Sequence, residues 1–323
     1  MIGENMFSKK VIVLILSVMC FAFIGGVAFF FAPERIDYGI HFTVNDTLEN
    51  GGGKPARVIL LGGQSNASGC SRDDCLKENV SEEKYTEYSS GYDNVYINYF
   101  ATGTNESLGF VKCAGMQGEA GGFFGPELGL AEKLHELYPD EQFFIIKYAW
   151  GGSNLCEQWR SPSCFGRTGD LYKHFVSFVE DSMEYLISKN YDVKIEAMCW
   201  MQGESDSFSE NDATDYERNL KSLIKDLRKR FDKYASKDGI AFVDAQIADN
   251  PAFWVFCDLV NASKAGVAEA SAMNVLIDTN KEGLTCEGEP KESPDLAHYD
   301  SMSQIKLGHL FAQECAAFFD REE

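Results

Sequence analysis

The chain has 323 residues, 45% hydrophobic and 24% charged, with 29 basic against 50 acidic side chains and a net charge of −21. That much apolar material excludes a disordered chain. The acidic excess argues against a nucleic-acid partner, since phosphate binding needs clustered Lys and Arg, and neutral ligands fit such a field best.

Val11–Ala32 carries no charged residue and is long enough to match the hydrocarbon core of a bilayer. Lys9 and Lys10 precede it, and Glu34 and Asp37 follow. The expectation is therefore a cytoplasmic segment over 1–10, a transmembrane signal anchor over 11–32, a stalk over 33–55 and a folded domain over 56–323. This is a single-pass type II arrangement, and a cleaved signal peptide that releases the domain is the alternative. Either route leads to a secretory lumen or the exterior. There Cys70–Cys75 and Cys156–Cys164, close in sequence and in polar stretches, are the expected disulfides, and Cys199 in IEAMCWM a buried free thiol. Asn45, Asn66, Asn79, Asn105 and Asn261 each begin an N-x-Ser/Thr sequon open to glycosylation. The chain has no C-x-x-C pair, so no structural zinc site is expected.

From residue 57 short apolar runs alternate with amphipathic stretches. Strands are expected at Arg57–Leu61, Val95–Tyr99, Phe143–Ala149, Ile195–Met201, Ile240–Asp244 and Asn274–Ile277. Helical spacing marks Pro126–Leu137, Leu171–Ser188, Ala213–Tyr234 and Ser303–Phe319. Alternation of this kind predicts a three-layer α/β/α sandwich around a mostly parallel central sheet.

In such a sheet, reactive groups gather where strands end. After RVILL comes Gly62-Gly63-Gln64-Ser65-Asn66, which places a serine in a tight turn; it is either a nucleophile or a simple N-cap. After FFIIKYA comes Trp150-Gly151-Gly152-Ser153, where glycine lets a backbone N–H approach an oxyanion or merely turns the chain. After IEAMCWM comes Gln202-Gly203-Glu204-Ser205-Asp206. Gln202 is a candidate amide donor, while Glu204 and Asp206 either act as acid/base groups or, the preferred reading, hold loops by accepting backbone N–H bonds. Before the last helix stands Asp295-Leu296-Ala297-His298, whose spacing lets Asp295 accept the Nδ1–H of His298 and leaves Nε2 to take a proton from a serine. Asn66 and Trp159 are candidate substrate contacts. For Trp159, and for Trp150 and Tyr148 beside it, stacking on a sugar ring and packing in the core both stay open.

The blocks GGQSN at 62–66, FGPELGLA at 124–131, KYAWGGSNL at 147–155, CWMQGESD at 199–206 and DLAHYDSMSQIKLGHLFA at 295–312 stand in one order over about residues 57–316. Together they resemble the SGNH hydrolase superfamily, a flavodoxin-like architecture, and within it the sialate O-acetylesterase-like branch that includes carbohydrate esterase family 6 (acetylxylan esterases). The resemblance implies Ser65 as nucleophile, His298 as base and Asp295 as its orienting acid. It implies an oxyanion hole from the Ser65 N–H, the Gly152 N–H and Gln202. Ala67 stands where this branch usually has Met. The expected activity is removal of acetyl groups from glycans through an acyl-serine, without metal or organic cofactor. A membrane-tethered, inactive glycan-binding module and an esterase for lipids or thioesters are the alternatives.

Overall fold

The computed structural model describes residues 36–319. The expected cytoplasmic segment and transmembrane run lie outside them, and no helix among the described residues is long and apolar enough to cross a membrane. The strands are β1 (Pro55–Gly63), β2 (Ser71–Arg72), β3 (Val95–Ala101), β4 (Asn105–Glu106), β5 (Val111–Lys112), β6 (Phe123–Phe124), β7 (Gln142–Ala149), β8 (Asp192–Met201), β9 (Ala241–Ala245) and β10 (Asn274–Ile277). The helices are α1 (Ser65–Ser68), α2 (Asp73–Asn79), α3 (Glu82–Ser90), α4 (Glu127–Leu137), α5 (Asp170–Ser188), α6 (Glu210–Phe231), α7 (Cys257–Glu269) and α8 (Ser301–Ala316).

The central sheet runs β10-β9-β8-β1-β7-β3-β4, with β5 also on β3. All pairings from β10 to β3 are parallel, and only the short β4 and β5 are antiparallel. β7 is buried along its whole length, as is β1 from Val58 onward. Continuous burial means that both faces are covered, the expected pattern for a parallel sheet. Each strand foreseen from apolar runs is present, as are the four foreseen helices, with ends shifted by a few residues. Helices α2, α3 and α7 were not foreseen. α3 exposes most of its surface and α7 buries only a few positions, so neither carries a strong apolar stripe.

Of the five blocks, FGPELGLA and the helical part of the last serve packing. α4 and α8 touch through glycines: a Cβ at Gly129 would lie 2.1 Å from Ile305 O, and one at Gly308 2.2 Å from Pro126 O. Lys147, fully buried in β7, donates to Glu127 Oε2 (2.7 Å) and Gln117 O (2.9 Å), while Glu127 Oε1 accepts the Gly125 N–H (2.8 Å). A buried ammonium needs this full set of partners.

From Ile40 onward, part of the segment expected as a stalk lies against the fold. Phe42 packs edge-on to Phe100 and Phe178, and Leu48 is buried. The two expected disulfides are corrected: Cys70, Cys75, Cys156 and Cys164 are all free. The Cys70 thiol is turned to Glu119 Oε2 (2.8 Å) and Cys164 faces Asn219 Oδ1 (3.8 Å), so neither points to its sequence neighbour. Cys199 is a buried free thiol, as expected.

Candidate active site

The chain leaves β1 for β3, returns to β7 beside β1, and then crosses to β8 on the other side of β1. That reversal makes the carboxyl end of β1 the switch point of the sheet, where a crevice opens. Register makes the crevice level: Gly63 pairs with Ala149 of β7 and with Met201 of β8. The three Gly-containing turns that follow these strands thus leave the sheet side by side.

Gly63 has φ +140°, and a Cβ there would lie 1.9 Å from Met201 O, so only glycine allows the chain to turn this close to β8. Ser65 then opens the single turn α1, with Ala67 and Ser68 N–H bonded back to Gln64 O (2.9 and 2.7 Å) and 9% of Ser65 exposed. His298 Nδ1 lies 2.6 Å from Asp295 Oδ2, and the Ala297 N–H also donates to Asp295 Oδ1 (3.0 Å). Burial pushes the Asp295 carboxyl up, but these bonds outweigh it and hold it below the usual carboxylate range.

What brings the two loops together is Asn66. Its Nδ2 donates to Ala297 O (3.2 Å) and to Glu204 Oε1 (2.8 Å), and its Oδ1 accepts the Tyr299 N–H (3.1 Å). Its own carbonyl accepts from Gln304 Nε2 (2.7 Å). The residue after Ser65 is therefore bonded on both sides of His298. This corrects two expectations for Asn66: its amide is committed to the protein rather than to a substrate, and it is only 3% exposed, with no room for a glycan.

The Gly151–Gly152 turn follows β7. Gly152 has φ +66° with open space where a Cβ would be, and the Gly151 N–H donates to Thr102 Oγ1 (3.0 Å). Neither the Ser65 N–H nor the Gly152 N–H meets an acceptor among the described residues. Gln202 differs. Its Nε2 donates to Asp206 Oδ2 (2.7 Å) and Ser153 O (3.0 Å), and its Oε1 accepts from Tyr216 (2.9 Å). Fully buried and with both amide hydrogens used, Gln202 has none left for an oxyanion. Trp159 is corrected likewise: it is fully buried, edge-on to Trp200 (5.1 Å), with its N–H on Ser153 Oγ (2.8 Å), and offers no face to a sugar. Tyr148 is also buried, whereas Trp150 keeps a partly open ring on a cavity of about 420 Å³ shared with Arg160 and His174.

Asp206 holds loops as expected, accepting the Leu155 (2.8 Å) and Cys156 (3.0 Å) N–H groups. Its burial pushes the carboxyl up to about 6 despite those bonds. Glu204 is buried with one oxygen on Asn66 and the other unpartnered, and burial raises it too. Sequence reading missed Gln64, whose Oε1 accepts from Gly203 N (3.3 Å) and Ser205 N (3.2 Å). It also missed Thr102 and Glu119, although Thr102 directly follows a strand, the one signal that could have found it.

A family model described as carbohydrate esterase, sialic acid-specific acetylesterase (SASA) matches residues 55–317. The chain belongs to the SASA carbohydrate esterase family. This esterase is also similar in fold to a structure from Arabidopsis thaliana, at 20% identity and TM-score 0.60 over 82% of this chain and 100% of that one. NanS is similar at 16% identity and TM-score 0.60, over 82% of this chain and 98% of NanS. A carbohydrate acetylesterase from Xanthomonas citri matches at 16% identity and TM-score 0.55, over 81% of this chain and 56% of that protein. No curated protein sequence matches the esterase.

Proposed function

We propose that this carbohydrate esterase removes O-acetyl groups from glycans, with sialates the first class to test, through an acyl-serine on Ser65. The observation that carries the reading is Asn66, which bonds the backbone on either side of His298 while adjoining Ser65. In the reaction, His298 Nε2 takes the Ser65 proton as Oγ attacks the acetyl carbonyl, and Asp295 holds the imidazole in the required tautomer through Nδ1. The tetrahedral oxyanion is received by the Ser65 and Gly152 N–H groups, each such donor worth about 3–4 kcal/mol of barrier. His298 returns the proton to the departing sugar oxygen. Water, deprotonated by the same imidazole, then attacks the acyl-serine, and the imidazolium returns that proton to Ser65 Oγ as the ester bond breaks and acetate leaves.

The description of the family supports sialates as the substrate class. The membrane anchor over 11–32 and a lumenal or extracellular domain remain part of this proposal. Ser65→Ala is expected to lower acetate release from O-acetylated sialic acid by at least about 10³-fold. Retained turnover would remove Ser65 as nucleophile. A wild-type chain that binds glycans but releases no acetate from sialate, xylan or a simple aryl ester would instead favour the inactive binding module.

A further inference from the structure

Thr102, the first residue past β3, has φ +52°, a left-handed conformation that β-branched residues rarely adopt. Strain of this kind persists only where the surroundings over-determine the residue, and it gathers at active sites. Here the surroundings meet at one oxygen. Thr102 Oγ1 accepts the Gly151 N–H (3.0 Å), lies 3.0 Å from Ser68 Oγ, and is hydrogen-bonded to Glu119 Oε1. A hydroxyl has one hydrogen and two lone pairs. The carboxylate can only accept, so it takes the hydrogen; the Gly151 N–H and the Ser68 hydroxyl then fill the lone pairs.

We propose that the Thr102 hydroxyl is a positioning group that sets the distance between the nucleophile turn and the oxyanion turn, with Glu119 orienting it. Ser68 belongs to the same single helical turn as Ser65, and Gly151 is the neighbour of Gly152. One oxygen therefore joins the two N–H donors assigned to the oxyanion hole, and the inference rests on that assignment. Glu119 is itself fixed, by Cys70 Sγ–H on Oε2 (2.8 Å) and by its N–H on Gly69 O (2.8 Å). Its carboxylate lies so close under the turn that a Cβ at Gly151 would be 2.2 Å from Oε1. Donors to an oxyanion act by being held in place before the charge develops, so loosening this link lowers turnover rather than ground-state binding.

The test compares Thr102→Val, which keeps shape and branching but loses the hydroxyl, with Thr102→Ser, which keeps the hydroxyl. On p-nitrophenyl acetate the valine variant of the full chain is expected to lose about 10–100-fold in kcat with KM within about twofold, and serine to restore kcat to within about threefold of wild type. Phenylboronic acid, which forms a tetrahedral adduct on a serine, should bind the valine variant more weakly by the same factor. A valine variant with wild-type kcat and boronate affinity overturns the proposal, whatever its thermal stability. If that variant does not fold, Ser68→Ala is read in its place: a kcat loss of about 3–10-fold is expected, and an unchanged kcat overturns the proposal. Activity retained in Ser65→Ala would remove the nucleophile assignment and this proposal with it, whereas an inactive Ser65→Ala beside a fully active Thr102→Val removes this proposal alone.

Discussion

Asp295 and His298 meet because three residues of turn place both side chains on one side, and the 2.6 Å contact is local in origin. Asp295→Asn should lower kcat by roughly three to four orders of magnitude with little change in KM, because an amide cannot hold the same imidazole tautomer. Steady-state kinetics on an acetyl ester checks this, and an unchanged kcat would remove Asp295 from the mechanism. Asp206 acts differently, through backbone it holds. Asp206→Ala strands the Leu155 and Cys156 N–H groups and frees Gln202, so urea unfolding should report a loss of about 3 kcal/mol near pH 5. The folded carboxyl titrates at about 6, above the ordinary ~3.9 of a free aspartate. Its contribution is full below that lower value and is lost as pH rises through about 6. The gap between wild type and Asp206→Ala should therefore be smaller at pH 7.5 than at pH 5; a gap that widens with pH would reverse the sign.

Helices α4 and α8 set the position of His298, the proposed base, one level up. α8 begins three residues after His298, and its contact with α4 leaves no space for side chains at Gly129 and Gly308. Gly308→Ala forces a Cβ toward Pro126 O and should cost about 1–3 kcal/mol as the helices part. Because the His298 loop leads directly into α8, kcat should fall as well, and a variant that unfolds at a lower temperature but keeps full kcat would uncouple the two. The same contact explains why FGPELGLA and IKLGHLFA read as motifs although neither bears a reacting group.

On the scale of the molecule, a net charge of −21 surrounds the crevice. If anionic glycans are substrates, long-range repulsion raises their KM at low salt, and screening relieves it once the Debye length falls from about 20 Å to about 8 Å. KM for an O-acetylated sialoside should fall between roughly 20 and 150 mM NaCl, while that for a neutral acetylated xylooligosaccharide stays level. Equal salt responses would show that charge plays no part in encounter.

The apolar runs of the sheet strands were legible in the sequence because strands buried on both faces cannot tolerate many polar residues, and the Asp295–His298 bond was legible because it is local. The turns after β1, β7 and β8 were legible as glycine-rich breaks at strand ends. What remained hidden was most of the commitments made across the crevice, the loop-holding by Asp206 excepted. Whether the amides of Asn66 and Gln202 face a substrate or the protein, whether the indole of Trp159 is open or enclosed, and which thiols face each other all depend on partners far along the chain, from Asn66 to Tyr299 or from Gln202 to Tyr216. Residue type states what a side chain can donate or accept; only the packed structure decides which donors are already spent.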